Sequence, residues 1–195
     1  MRISGGRARG IELQVPKGDR VRPATDGMRQ AAFSSLAGVV PGARFLDLFA
    51  GSGAYGLEAF SRGAAGGVFV EWDTRAVACI RQNISAVARS MGVGEAADLA
   101  VRPVDALQAV AGWSGPAPDL VFIDPPYEII PEVAPVLFER LAAVLASKPG
   151  AIVVFEHPGE LELEPDGWTR LKRLGKGARQ PTVGFFRRTP GGPPT

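Results

Sequence analysis

The chain has 195 residues, of which 46% are apolar and 22% charged, with a formal net charge of +2. This is the composition of a folded domain and excludes a disordered chain, except over residues 189–195 (TPGGPPT), which have nothing to bury. No apolar run reaches the roughly 18 residues of a membrane span, the first ten residues lack a secretion-signal core, and one cysteine with one histidine excludes a disulfide framework and a structural zinc site.

Residues 2–4 and 11–15 read as a short hairpin punctuated by Gly5, Gly6 and Gly10. Asp26 is the expected N-cap of a helix over residues 27–36, with Ala32, Phe33 and Leu36 as its apolar stripe. The pattern then changes. Residues 44–49 form an apolar run suited to a strand buried on both faces, followed by Gly51-Ser52-Gly53 and a helix to about Arg62. Further strands are expected at 67–71, 99–102, 119–123 and 151–156, with helices at 74–90 and 132–145. Residues 169–174 and 182–187 read as a terminal hairpin. Alternating strands and helices specify an α/β, doubly wound, mostly parallel sheet. The expected organisation is a hairpin-helix extension over 1–40, a core domain over 41–188 and a disordered tail over 189–195.

The glycine loop carries the first chemical signal. Gly51, Gly53 and Gly56 fit the spacing G-x-G-x-x-G after a strand, and Glu71 stands twenty residues beyond Gly51, where a ribose-binding acid is expected. Asp47 argues against a pyrophosphate ligand, since a carboxylate there would repel a diphosphate by about 1–4 kcal/mol at 4 Å. A cofactor with a cationic amino group and no phosphate, such as S-adenosylmethionine, is attracted instead. Glu71 would accept its ribose hydroxyls. Asp105 is placed either to accept from the adenine amino group or to cap a helix. Tyr55 and Trp72 read as packing or cofactor-wall residues.

The second signal is Asp124-Pro125-Pro126-Tyr127, directly after Leu120-Val121-Phe122-Ile123. Two prolines after a buried strand fix an extended turn. If this strand neighbours the 44–49 strand at the switch point of the sheet, the turn faces the glycine loop. The Asp124 carboxylate and the Pro125 carbonyl can both accept hydrogen bonds from one exocyclic amino group, and Tyr127 offers a ring on which a base can stack.

Charge is uneven along the chain. Residues 1–30 carry a net +4, residues 31–169 a net −9 and residues 170–195 a net +7. Basic ends around an acidic middle predict a polyanion-binding rim including Arg7, Arg9, Arg22, Arg29, Arg170, Lys172, Arg173 and Lys176. Arg29 has a competing partner in Asp26, three residues before it.

Together Asp47–Gly56, Glu71, Asp105 and Asp124–Tyr127 resemble class I S-adenosylmethionine-dependent methyltransferases of amino nitrogen. The opening Arg2-Ile3-Ser4-Gly5-Gly6, then Arg22-Pro23-Ala24-Thr25-Asp26 with Arg29 and Phe33, and Gly56-Leu57-Glu58-Ala59 resemble the RsmD-type guanine-N2 methyltransferases of small-subunit ribosomal RNA. The resemblance covers roughly residues 1–157; Ala24 and Gln30 depart from its usual threonine and glutamate. It implies a Rossmann-like seven-stranded sheet and methyl transfer to a guanine N2. The implied acceptor is 16S RNA within a preformed particle, and the implied enzyme is a cytoplasmic monomer. Asp47, Gly51 and Gly53 would line the methionine part of the cofactor, Glu71 its ribose and Asp105 its adenine. Asp124, Pro125 and Tyr127 would hold the guanine. No metal and no membrane are expected. Competing expectations are a DNA adenine-N6 or cytosine-N4 methyltransferase, a non-catalytic RNA-binding protein on the same fold, and a nicotinamide-dependent oxidoreductase.

Overall fold

A computed structural model describes residues 1–16, 25–94, 98–175, 177 and 180–190. The elements are α1 (Thr25–Ser35), β1 (Arg44–Leu48), α2 (Ala54–Ser61), β2 (Gly66–Val70), α3 (Thr74–Ser90), β3 (Asp98–Arg102) and α4 (Ala106–Ala111). They continue with β4 (Leu120–Ile123), a 3₁₀ turn (Tyr127–Ile129), α5 (Ile130–Val144), β5 (Ile152–Pro158), β6 (Trp168–Leu174) and β7 (Pro181–Arg188). One seven-stranded sheet has the order β3-β2-β1-β4-β5-β7-β6. β1 to β5 are parallel, and β7 runs antiparallel to both β5 and β6. The doubly wound sheet expected from the sequence is thus present. Among the described residues no helix is long and apolar enough to cross a membrane.

The strands form where apolar side chains fill both faces, as a sheet covered on two sides demands. Phe45, Phe69, Phe122 and Val154 face a core built with α1, α2 and α3. Leu46, Val70, Val121, Val153 and Phe155 face the other core, with α4 and α5. Helix α3 buries Ala76, Val77, Ile80, Asn83 and Val87 on one stripe and is capped by Asp73, whose carboxylate accepts the Arg75 N–H at 2.7 Å.

Two expectations are corrected. Helix α1 begins at Thr25, so Asp26 lies in its first turn and is not its N-cap. Its carboxylate accepts instead from Arg29 Nη2 at 2.8 Å. Helix α5 begins at Ile130 rather than 132, with Pro131 at the helix start, where a missing N–H is harmless. Helix α4 bears out the capping alternative for Asp105: Asp105-Ala106-Leu107-Gln108 has the spacing of a capping box, and Asp105 accepts the Gln108 N–H at 3.0 Å. The expected tail at 189–195 falls mainly on 191–195, outside the described residues.

The N-terminal hairpin is present, with Arg2 bridged to Glu12 and the Ile3 N–H donating to Ile11 O at 2.9 Å. It sits on α2. Gly6 has φ +77°, and a Cβ there would lie 2.0 Å from the Ser61 carbonyl oxygen, so only glycine allows this approach. Glu58, fully buried, accepts from Ser4 N at 2.8 Å, Ser4 Oγ at 2.7 Å and Arg62 Nε at 2.7 Å. Arg29 Nε lies 3.6 Å from the same carboxylate, and Arg29 Nη2 donates to Arg2 O at 2.6 Å. This network ties the extension and α1 to the core.

Candidate active site

Strand order reverses between β1 and β4, which are hydrogen-bonded neighbours with Leu48 opposite Ile123. The turns that follow both strands therefore meet at the switch point, where ligands bind in open α/β sheets. The side chains at the carboxyl ends share a face. Asp47 is in phase with Phe45, Glu71 with Phe69, Asp124 with Phe122 and Glu156 with Val154, because a strand repeats every two residues. Four acids thus lie toward the carboxyl ends of four adjacent parallel strands on the α1–α3 side.

The loop after β1 turns through left-handed backbone at Phe49 (φ 56°), Gly51 (φ 54°) and Gly53 (φ 79°). Positive φ at a phenylalanine is strained, and such strain clusters at ligand sites. A Cβ on Gly51 would meet nothing nearer than the Phe49 oxygen at 4.0 Å, which leaves open space above the loop. Gly56 serves packing: a Cβ there would lie 2.4 Å from the Phe69 ring and 2.6 Å from the Phe45 ring.

Glu71 is buried and holds the loop in shape. Its Oε2 accepts the Gly51 N–H at 2.9 Å and its Oε1 accepts the Asp73 N–H at 2.8 Å. Each carboxylate oxygen keeps a lone pair for a further donor. Asp47 is also buried, and its Oδ2 accepts the Gly56 N–H at 2.8 Å. Burial, opposed by that hydrogen bond and reinforced by the Glu71 charge, pushes the Asp47 carboxyl up to about 8. This corrects the electrostatic argument against pyrophosphate: at pH 7 and without a cation beside it, Asp47 is mostly protonated and exerts little repulsion. An ammonium group within reach restores the charge. Asp105, half-buried, is engaged as the α4 N-cap. Trp72 is 72% exposed beside Glu71.

Asp124 follows the fully buried strand β4 and is itself half-buried, whereas Pro125 is buried. Tyr127 opens the 3₁₀ turn, half-buried and packed against the α4–α5 core. A cavity of about 590 Å³ lies elsewhere, between α5 and residues 161–168, and is lined by none of these side chains.

Three partners escape the sequence reading. Glu156 on β5, 3% exposed, accepts the Tyr55 hydroxyl at 2.8 Å. Asn83 joins the N-terminal segment to the loop: its amide donates to Gln14 O and Ser52 O, both at 2.9 Å, and accepts the Gln14 N–H at 2.8 Å. Glu58 is the third. An acid in phase at the end of an apolar strand is a signal for Glu156, as it is for Asp124. Asn83 on the apolar stripe of α3 is a polar residue at a core position, which demands buried partners.

Lys172 Nζ donates to Ser35 Oγ at 2.8 Å, which joins β6 to α1. Individual assignments change. Arg29 is 1% exposed and is removed from the candidate RNA rim, because its guanidinium is used inside the fold. Arg173 is half-buried, with Nη2 donating to Gly159 O at 2.5 Å and its guanidinium paired to Glu162. Arg170 is exposed and paired to Glu162 at 2.7 Å, and Arg7 is exposed with Nη2 donating to Met91 O at 2.5 Å. Arg9 and Lys172 are exposed. Arg22 and Lys176 lie outside the described residues.

The model of a family described as conserved hypothetical protein 95 matches residues 1–183. The chain is 40% identical over 127 residues to ribosomal RNA small subunit methyltransferase D of Escherichia coli K12, a match over 65% of this chain and 60% of that protein. The match therefore spans less than two thirds of that relative. The Haemophilus influenzae protein of the same name is 30% identical over 177 residues, covering 88% of this chain and 86% of its own length. Among solved structures, a hypothetical protein of Thermus thermophilus has 34% identity and a TM-score of 0.70, covering 95% of this chain and 98% of that one.

Proposed function

The chain belongs to the conserved hypothetical protein 95 family, and on that premise we propose that it transfers a methyl group from S-adenosylmethionine to the N2 amino group of a guanine in small-subunit ribosomal RNA. The relatives' printed names support the ribosomal RNA substrate. One observation carries the chemistry. Asp124, heading Asp-Pro-Pro-Tyr, stands at the carboxyl end of β4, the direct neighbour of the strand that leads into the glycine loop. The natural substrate is a preformed small-subunit particle, and the acting form is a cytoplasmic monomer.

The site fits the cofactor. The open backbone over Gly51 admits its methionine part, and the spare lone pairs of Glu71 receive two ribose hydroxyls. Asp47 ionises beside the ammonium group. Asp105, though engaged as a cap, keeps an oxygen for the adenine amino group. When bound, S-adenosylmethionine supplies an electrophilic methyl on a sulfonium. The chain's own contribution is placement. Asp124 and the Pro125 carbonyl accept the two N–H bonds of the guanine amino group and turn its lone pair toward the loop, while the Tyr127 ring supports the base. Positioning of this kind supplies up to about 7–11 kcal/mol in favourable cases.

Calorimetry tests the cofactor assignment. S-adenosylhomocysteine is expected to bind where NAD at the same concentration does not. Glu71→Ala is expected to weaken that binding by about 1–3 kcal/mol, because two hydroxyls lose a charged acceptor. Equal affinity in the variant removes Glu71 from the site.

RNA affinity is expected to fall steeply with salt, with a log–log slope of about −0.7 for each phosphate contact on single strands. The double variant Arg9→Gln/Lys172→Gln is expected to flatten the slope by about 1.4 in filter binding to small-subunit RNA. Arg29→Gln acts on folding and leaves the slope of the folded protein in place. A slope unchanged by the double variant puts the RNA on another face.

A further inference from the structure

Glu156 takes no part in the scheme above, yet its position is specific. β4 and β5 pair Ile123 with Phe155, and Asp124 and Glu156 each follow that pair by one residue. Both are in phase with the same face of the sheet, through Phe122 and Val154. Two carboxylates on neighbouring strands therefore share the end of the sheet where the base must lie. Tyr55 links them. Its hydroxyl donates to Glu156 Oε2 at 2.8 Å, and its ring stacks on Phe122 with centroids 5.4 Å apart and planes at 27°. Burial and the charges of Glu156 and Asp124 push the Tyr55 hydroxyl well above its ordinary value, which keeps it a donor.

Neighbouring carboxylates offer neighbouring acceptors, and guanine is the base that complements them. Its Watson–Crick edge carries two adjacent donors, N1–H and the N2 amino group. Adenine and cytosine present a bare ring nitrogen, and uracil has a ring N–H but no amino group. Flipped bases are read along this edge.

We propose that Glu156 is the residue that selects guanine: its carboxylate accepts the base N1–H while Asp124 accepts from the N2 amino group, and the Tyr55 hydroxyl holds Glu156 in place. This assignment rests on the guanine-N2 reading. It supplies the repulsive element that specificity requires, because a bare ring nitrogen would turn its lone pair toward the carboxylate.

The test uses small-subunit RNA ligated to carry either guanine or 2-aminopurine at the methylated nucleotide. 2-Aminopurine keeps the amino group but has no hydrogen on N1. A third RNA carries inosine there, which keeps N1–H without the amino group, and serves as a competitor that reports binding alone. Wild-type protein is expected to favour guanine over 2-aminopurine by about 100-fold in kcat/KM, since a site built for an N–H rejects the analogue that lacks it. In Glu156→Gln the Tyr55 hydroxyl engages the amide oxygen and leaves the amide NH₂ toward the base, matched to bare N1 and mismatched to N1–H. The preference is then expected to shrink to within about threefold, and inosine RNA to lose its competing power. Affinity for S-adenosylhomocysteine stays unchanged. Tyr55→Phe keeps the ring and removes only the hydroxyl, and is expected to reduce the preference about tenfold. An unchanged preference in Glu156→Gln, or in Tyr55→Phe should the first variant not fold, overturns the assignment. Wild-type protein that leaves guanine N2 unmethylated overturns the guanine-N2 reading itself, and the role of Glu156 with it.

Discussion

Asp124→Ala is expected to lower single-turnover methyl transfer by at least about a hundredfold while S-adenosylhomocysteine binds as tightly as before. The asymmetry follows from the sheet. The acids proposed for the cofactor, Asp47 and Glu71, stand on β1 and directly after β2, and Asp124 follows β4 across the switch point. Pro125 is buried beside it and fixes the direction of the turn. The loss therefore falls on orientation of the amino group. Single-turnover rates on small-subunit RNA, paired with calorimetry on the same preparation, separate the two effects. A tenfold loss of cofactor affinity in this variant places Asp124 on the cofactor and removes it from the acceptor side.

The second large effect concerns stability. Glu58→Ala is expected to cost about 3–5 kcal/mol, since removing one partner of a buried ionic network strands the other. Glu58 has no exposed surface, and four groups converge on it: Ser4 N, Ser4 Oγ, Arg62 Nε and Arg29 Nε. Arg29 is left buried, though it keeps Asp26 and the Arg2 carbonyl, which favours the lower end of the range. At about 2–4 °C per kcal/mol for a chain of this size, the melting temperature should drop by roughly 6–12 °C. Arg62→Ala removes the nearest cation, 2.7 Å from the buried Glu58 carboxylate, and should also be destabilising. A drop below about 2 °C for Glu58→Ala means that the N-terminal hairpin contributes little to stability. That would leave the extension free to serve the RNA alone.

The fold and the cofactor half of the site are legible because their signals are local. A glycine turn after an apolar strand, an acid twenty residues on, and an acid with two prolines after another strand each lie within one short stretch of chain. The helix over residues 74–90 is legible for the same reason, and α3 starts at Thr74. What escapes is set by tertiary contact. Arg29 reads as a surface cation because its residue type is mostly exposed, yet it is buried by partners at Arg2 and Glu58 that no periodicity reveals. Glu156 and Tyr55 are 101 positions apart, so their hydrogen bond is invisible along the chain. Asp47 is found correctly as a residue near the loop, but its charge is misjudged, because the desolvation that raises it depends on the completed core. Helix α4 is the exception. It is six residues long, and its start is marked in the sequence by Asp105 as a possible cap.

The central claim is the transfer of a methyl group to guanine N2, and the most direct measurement is the position of the label. Small-subunit particles from cells lacking their own guanine-N2 enzyme are incubated with the protein and tritium-labelled S-adenosylmethionine, and the RNA is digested to nucleosides. The account predicts radioactivity in N2-methylguanosine alone, arising from one nucleotide of the small-subunit RNA. Label in N6-methyladenosine or N4-methylcytosine, or RNA that remains unlabelled while the protein binds S-adenosylhomocysteine, would contradict it.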